Sequence, residues 1–130
     1  PLKFIERVFW LGLEKTILIS DAYRFAGLPD GEYQWEEMIV YVKNSRCELS
    51  DGSLMGGYTF LDAGVRNLVN LVNIPFEKAI ATATSNAAKS IGAINKGSLA
   101  PGYDADLVLL DSQLIPKLTI VGGEIVWRSS

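Results

Sequence analysis

Asp21 is the residue of this chain best placed to do chemistry. It follows the apolar run "TILIS" at residues 16–20 and precedes the turn-rich "AYRFAGLPDGEY". Parallel strands display reacting groups at their carboxyl ends, so a carboxylate at the end of such a run suits a general base. The same position also suits an acid that caps a turn or pairs with a neighbouring cation. Metal-assisted chemistry usually recruits histidine, and the 130 residues contain none. The single cysteine, Cys47, excludes an internal disulfide, and without histidine it makes neither a zinc site nor a Cys–His pair, so it is expected as an ordinary strand residue. Asp104 and Asp106 resemble a carboxylate pair but stand in "GYDAD" ahead of a strand, where turn and edge acids are common. Lys15, Arg24 and Lys43 are isolated cations of the kind that water solvates, and no role is assigned to them.

The elements that must position Asp21 are legible in the hydrophobic pattern. Residues 2–13, "LKFIERVFWLGL", put Leu2, Ile5, Val8 and Phe9 on one face, which predicts an amphipathic helix closed by Gly12. "TILIS" is a continuous β-rich apolar run, the pattern of a strand covered on both faces. Helix then strand is half of a βα repeat. "GLPDG", residues 27–31, is a loop, and residues 38–43 and 46–49 read as two strands joined at "NS". The glycine-rich "SDGSLMGGYT", residues 50–59, precedes a helix predicted over 61–72, with Thr59 and Asp62 near capping-box spacing and Leu61, Val65, Leu68 and Val72 as its buried stripe. Glycine admits close backbone approach, so this loop suits either ligand contact or a plain helix start. Pro75 opens a further helix, "PFEKAIATAT", and Asn86 is expected to cap a short one, "AAKSIG". Three strands, "LVLLD", "KLTIVGG" and "EIVWRS", end the chain. Trp10, Trp35 and Trp127 fall in helix or strand segments and are expected to pack, Trp35 being near the loop after Asp21.

Composition excludes several classes. With 48% hydrophobic and 21% charged residues the chain can bury a core. A net charge of −3 and scattered Lys and Arg argue against nucleic acid. No apolar run approaches the roughly 18 residues of a membrane span, and no signal-peptide series is present, so the expected location is cytoplasmic, with no membrane partner. The chain opens at Pro1 and enters a helical pattern at once, which reads as the interior of a longer polypeptide.

Four stretches, "ILISDAYRFAGLPDGEY", "DGSLMGGYTFLDAGVRNLV", "EKAIATATSNAAKSIG" and "GSLAPGYDADLVLLD", occur in an order that resembles the carboxyl-terminal third of the N-acetylglucosamine-6-phosphate deacetylases of the amidohydrolase superfamily. "GYDADLVLLD" and "TIVGGEIVW" are similar to many amidohydrolases, including dihydroorotases, deaminases and D-aminoacylases. The Ser-Asp-Ala segment with "AGLPDGEY", and the glycine loop with "AGVRNLV", resemble the sugar-phosphate deacetylases more narrowly.

The resemblance implies an α/β fold: the last strand and helices of a (β/α)8 TIM barrel at residues 1–94, with an inserted hairpin at about 38–49, and carboxyl-terminal strands of a small β-sandwich at 95–130. It implies that "TILIS" is the eighth barrel strand and that Asp21 takes a proton from metal-bound water and returns it to the leaving amine. It implies a divalent metal, zinc or iron, held by a Glu and two His outside this chain, so that no metal ligand is named here and the fragment alone is expected to be inactive and not stable by itself. Residues 54–60 are similar to a family loop, Leu-Ala-Gly-Ser before Leu-Thr-Met, that lies against the substrate, which makes Leu54, Met55 and Gly56 substrate contacts. Met55 stands in place of Ala, Gly57 in place of Ser, and Tyr58 where an aliphatic residue is usual. The implied substrate is a small amino-sugar phosphate, and the implied complete protein is a homodimer. A related amidohydrolase of dihydroorotase or deaminase type, or a non-catalytic truncated segment, remains as an alternative.

Overall fold

The computed structural model describes residues 2–10 and 12–130, with the side chains of residues 2 and 4 outside the description. The chain divides into two compact units, Ile19–Gly64 and a second that joins Pro1–Leu18 to Val65–Ser130.

The first unit is built on an antiparallel meander of β1 (Gly31–Trp35), β2 (Met38–Lys43) and β3 (Arg46–Leu49). Alternation along β2 turns Val40 and Val42 into a core with Phe25 and Cys47, against which Tyr33, Trp35, Leu49, Met55 and Tyr58 pack. The expected hairpin at residues 38–49 is present. Its turn residues Asn44 and Ser45 both have positive φ, 52° and 59°, the backbone hand that matches strand twist. β1 escaped the sequence reading. It pairs from Gly31↔Val42 to Trp35↔Met38, but its link to β2 is Glu36–Glu37, which carries none of the usual turn residues.

The second unit holds α1 (Leu2–Trp10), a 3-10 turn (Leu13–Lys15), α2 (Leu61–Asn70, whose last six residues lie in this unit), α3 (Phe76–Ala83) and α4 (Ser85–Ser90). Ile5 and Phe9 face a core of Val65, Leu68 and Ala79, while the expected places of Leu2 and residue 11 lie outside the described residues. α1 stops short of residue 13 because Gly12 takes φ 114°. α2 ends at Asn70, not 72: Asn73 adopts φ 58° and the Ile74 N–H donates to the Leu68 carbonyl, a closure that left-handed residues permit. Leu61, expected in the buried stripe, is 41% exposed.

Two further expectations are corrected. Residues 16–20 form no strand, and Ile17 and Ile19 are 40% and 72% exposed instead of covered. A parallel strand needs hydrogen-bonded neighbours, and among the described residues this run finds only fragments of them: the Leu18 N–H donates to the Thr82 carbonyl, and Ala22 forms one parallel bridge with Gly57. Asn86 caps nothing. It lies within α4, 8% exposed, and its Nδ2 donates to the carbonyls of Leu13 and Thr16, both at 2.8 Å. The side chain therefore satisfies two carbonyls at the end of the 3-10 turn.

β4 (Leu107–Leu110), β5 (Pro116–Val121) and β6 (Glu124–Arg128) form a second antiparallel meander at the expected places. Every residue of β6 is exposed. Trp35 packs as expected, but Trp10 is 93% and Trp127 48% exposed, since no described residue covers the faces they occupy.

Candidate active site

The Ile19–Gly64 unit brings Asp21 and the glycine loop together. Asp21 is exposed and sits at φ 49°, in the left-handed region that costs most side chains energy and that Asp tolerates better than most. Three backbone features accompany this conformation. The Gly57 N–H donates to the Asp21 carbonyl at 2.6 Å. The Ala22 N–H donates to the Ser20 Oγ at 3.2 Å, closing a short side-chain turn around Asp21. Gly56, at φ 74°, lies so near that a Cβ there would stand 2.9 Å from the Asp21 oxygen and 3.0 Å from the Tyr23 Cβ. Its neighbour Gly57 is closer still, with 2.2 Å to the Ser20 carbonyl.

The sequence-derived site residues divide by environment. Leu54 is 62% exposed and forms a bridge with Glu48. The Met55 N–H donates to the Cys47 carbonyl, and its side chain packs against the Phe25 cluster. Met55 therefore offers a ligand less side-chain surface than Leu54 does. Beyond Asp21, the Tyr23 and Trp35 rings meet edge-on at 5.0 Å, with the Arg24 guanidinium 5.5 Å over Trp35. Sequence reasoning did not single out Ser20 or Tyr23, and named Gly57 only as a departure from the family loop. The signal available for Ser20 was the pair of small residues flanking one acid in "SDA", and for Gly57 the glycine pair "GG".

Asp104 and Asp106 have structural partners. Lys96 Nζ pairs with both, Asn95 Nδ2 donates to Asp104, and Asp106 Oδ1 accepts the Gly122 N–H at 2.9 Å. The Lys96 hydrogen bond, with the Gly122 amide behind it, holds the Asp106 carboxyl below its ordinary range. Asp104 and Asp106 in turn push the Lys96 ammonium well above the ordinary lysine value. Burial raises the Cys47 thiol, so it is no activated nucleophile.

The residues present do not make a metal centre. The chain has no histidine, and among the described residues no group of three or more His, Cys, Asp or Glu could hold an ion. Among the same residues, no helix is long and apolar enough to cross a membrane.

Comparison with known proteins gives the chain's family. The chain is 40% identical over 114 residues to an N-acetylglucosamine-6-phosphate deacetylase of Lysinibacillus sphaericus, covering 88% of this chain and 30% of that protein. It is 34% identical over 113 residues to an N-acetylgalactosamine-6-phosphate deacetylase of Escherichia coli O157:H7, covering 86% of this chain and 30% of that one. The crystal structure of an N-acetylglucosamine-6-phosphate deacetylase from Thermotoga maritima superimposes with a TM-score of 0.90 at 30% identity, covering 98% of this chain and 36% of that chain. The chain thus spans about a third of the length of these relatives. A family model described as the amidohydrolase family matches residues 49–126, more than half of the sequence, and the chain belongs to that family.

Proposed function

We propose that this chain carries the acid/base end of an N-acetylglucosamine-6-phosphate deacetylase, with residues 1–94 completing a (β/α)8 barrel and 95–130 contributing strands to a small sandwich. The observation that carries the reading is the exposed Asp21 held at φ 49° directly against the glycine loop of Leu54, Met55 and Gly56. Likeness to the deacetylases over nearly the whole chain supports the substrate class.

In this reading Asp21 accepts a proton from the attacking water as its oxygen bonds to the acetamide carbonyl carbon. It then gives that proton to the amine nitrogen as the C–N bond breaks, leaving acetate and glucosamine 6-phosphate. One carboxylate performs both transfers and is regenerated. The exposed Leu54 stands on the approach to it, with Met55 and Gly56 beside it in the same loop, where the absence of a side chain at Gly56 lets the loop come close to Asp21. Amidohydrolases are generally metal-dependent, and any divalent metal, zinc or iron, would take its ligands from outside this chain. The complete protein would be a cytoplasmic homodimer.

The test is acetate release by the complete protein from four candidates: N-acetylglucosamine 6-phosphate, N-acetylgalactosamine 6-phosphate, unphosphorylated N-acetylglucosamine and dihydroorotate. The reading expects the first to be preferred by about tenfold or more in kcat/KM, a discrimination that a few placed contacts supply. Preference for the galacto epimer would move the substrate to that of the E. coli relative. Turnover of dihydroorotate alone, or of nothing, would refute the reading.

A further inference from the structure

The backbone around Asp21 is held by groups that take no part in proton transfer. We propose that Ser20, Gly56 and Gly57 are positioning residues that fix the left-handed backbone of Asp21 and so aim its carboxylate; this rests on the deacetylase reading of Asp21. A non-glycine residue at φ 49° persists only where its surroundings over-determine it. The surroundings here do so from both sides. Ser20 Oγ accepts the Ala22 N–H at 3.2 Å, fixing the peptide that follows Asp21. The Gly57 N–H donates to the Asp21 carbonyl at 2.6 Å, and Gly57 bridges Ala22 in parallel. These bonds form only because the loop backbone comes within reach. A Cβ at Gly57 would stand 2.2 Å from the Ser20 carbonyl, and one at Gly56 2.9 Å from the Asp21 oxygen. Both are shorter than any contact a methyl group can make, and the nearest atoms are backbone, which cannot swing aside.

Gly52 supplies a built-in control. It lies in the same loop with φ 81°, so an alanine there meets the same backbone strain, yet nothing stands within 4 Å of its Cβ position. Strain alone and displacement of Asp21 are therefore separable.

The experiment measures kcat and KM for N-acetylglucosamine 6-phosphate in the complete protein carrying D21N, S20A, S20T, G56A or G52A. S20A is expected to lower kcat about tenfold with KM within about threefold, because a catalytic group displaced by a fraction of an ångström loses rate before it loses affinity. S20T keeps the hydroxyl and restores kcat to within about threefold of the parent protein. G56A is expected to lower kcat by about thirtyfold or more while G52A stays within about twofold. If G56A does not fold, the S20A and S20T pair decides. The positioning role is overturned if S20A keeps full kcat, if S20T is as slow as S20A, or if G52A and G56A lose rate equally. D21N separates the two claims: activity retained in D21N refutes the deacetylase reading of Asp21, whereas an inactive D21N beside a fully active S20A refutes only the positioning.

Discussion

Replacing Asn86 tests how this chain secures the segment that leads to Asp21. Its amide donates two 2.8 Å hydrogen bonds, to the carbonyls of Leu13 and Thr16, from a side chain only 8% exposed. A net hydrogen bond contributes about 1 kcal/mol, and a carbonyl left without a partner away from water costs somewhat more, so Asn86→Ala should destabilise by about 2–3 kcal/mol. Asn86→Asp is the sharper perturbation. It keeps the size but points a carboxylate at two carbonyl oxygens, so it loses both bonds and adds repulsion, about 1–2 kcal/mol beyond the alanine variant. The introduced acid would be held above its ordinary value in the folded state, so stability should recover as pH falls from about 7 to 5, where a protonated carboxyl can donate one bond. The assay is equilibrium urea unfolding of the complete protein at both pH values, comparing midpoints. An aspartate variant as stable as the alanine variant, or a loss below about 0.5 kcal/mol for either, would refute the reasoning.

Two shorter predictions concern the rest of the chain. Asp106 is held below its ordinary value of 3.8, chiefly by Lys96 and then by the Gly122 amide, so its contribution is present above that value and lost as pH falls through the lower, folded one. The Gly122 amide resonance should therefore move on acidification below about pH 4, and Lys96→Met should bring that movement to higher pH; an unmoved midpoint would count against the pairing. Cys47 is fully buried with a raised thiol, so aromatic disulfide reagents should label it only after unfolding, and labelling of the native protein at a free-thiol rate would contradict the core packing.

What the sequence made legible follows from range. α2 and α3 were legible because Val65, Leu68 and Ala79 meet a core inside this chain, and the three final strands because Pro and Gly turns separate short β-rich runs. Periodicity also located the 38–49 hairpin, where β2 alternates against Phe25. The same reasoning gave residues 16–20 as a strand and placed Trp10 and Trp127 in packed positions, and there the structure differs. Leu18 alone of that run packs into a core, while Ile17, Ile19, Trp10 and Trp127 stay exposed among the described residues, so their pattern states a preference left unmet there. Asn86 was misread because capping is a local rule, whereas its bonds reach back to residues 13 and 16. At the site, Asp21 stood out by type and place. Ser20 and Gly57 did not, because their role lies in backbone contacts that bring residue 57 beside residue 21, of which the small residues in "SDA" and "GG" are the only trace in the sequence.

The most direct test of the central claim is a single-turnover and steady-state comparison of the complete protein with its Asp21→Asn variant on N-acetylglucosamine 6-phosphate. The substitution keeps the shape and removes the ability to accept and return a proton. The account predicts that acetate release falls by about 10²–10⁴-fold, the range for a lost general acid and base, while substrate affinity stays within a few-fold. A variant that turns over within about tenfold of the parent protein would contradict it, because Asp21 would then be a turn residue and the proton would move elsewhere.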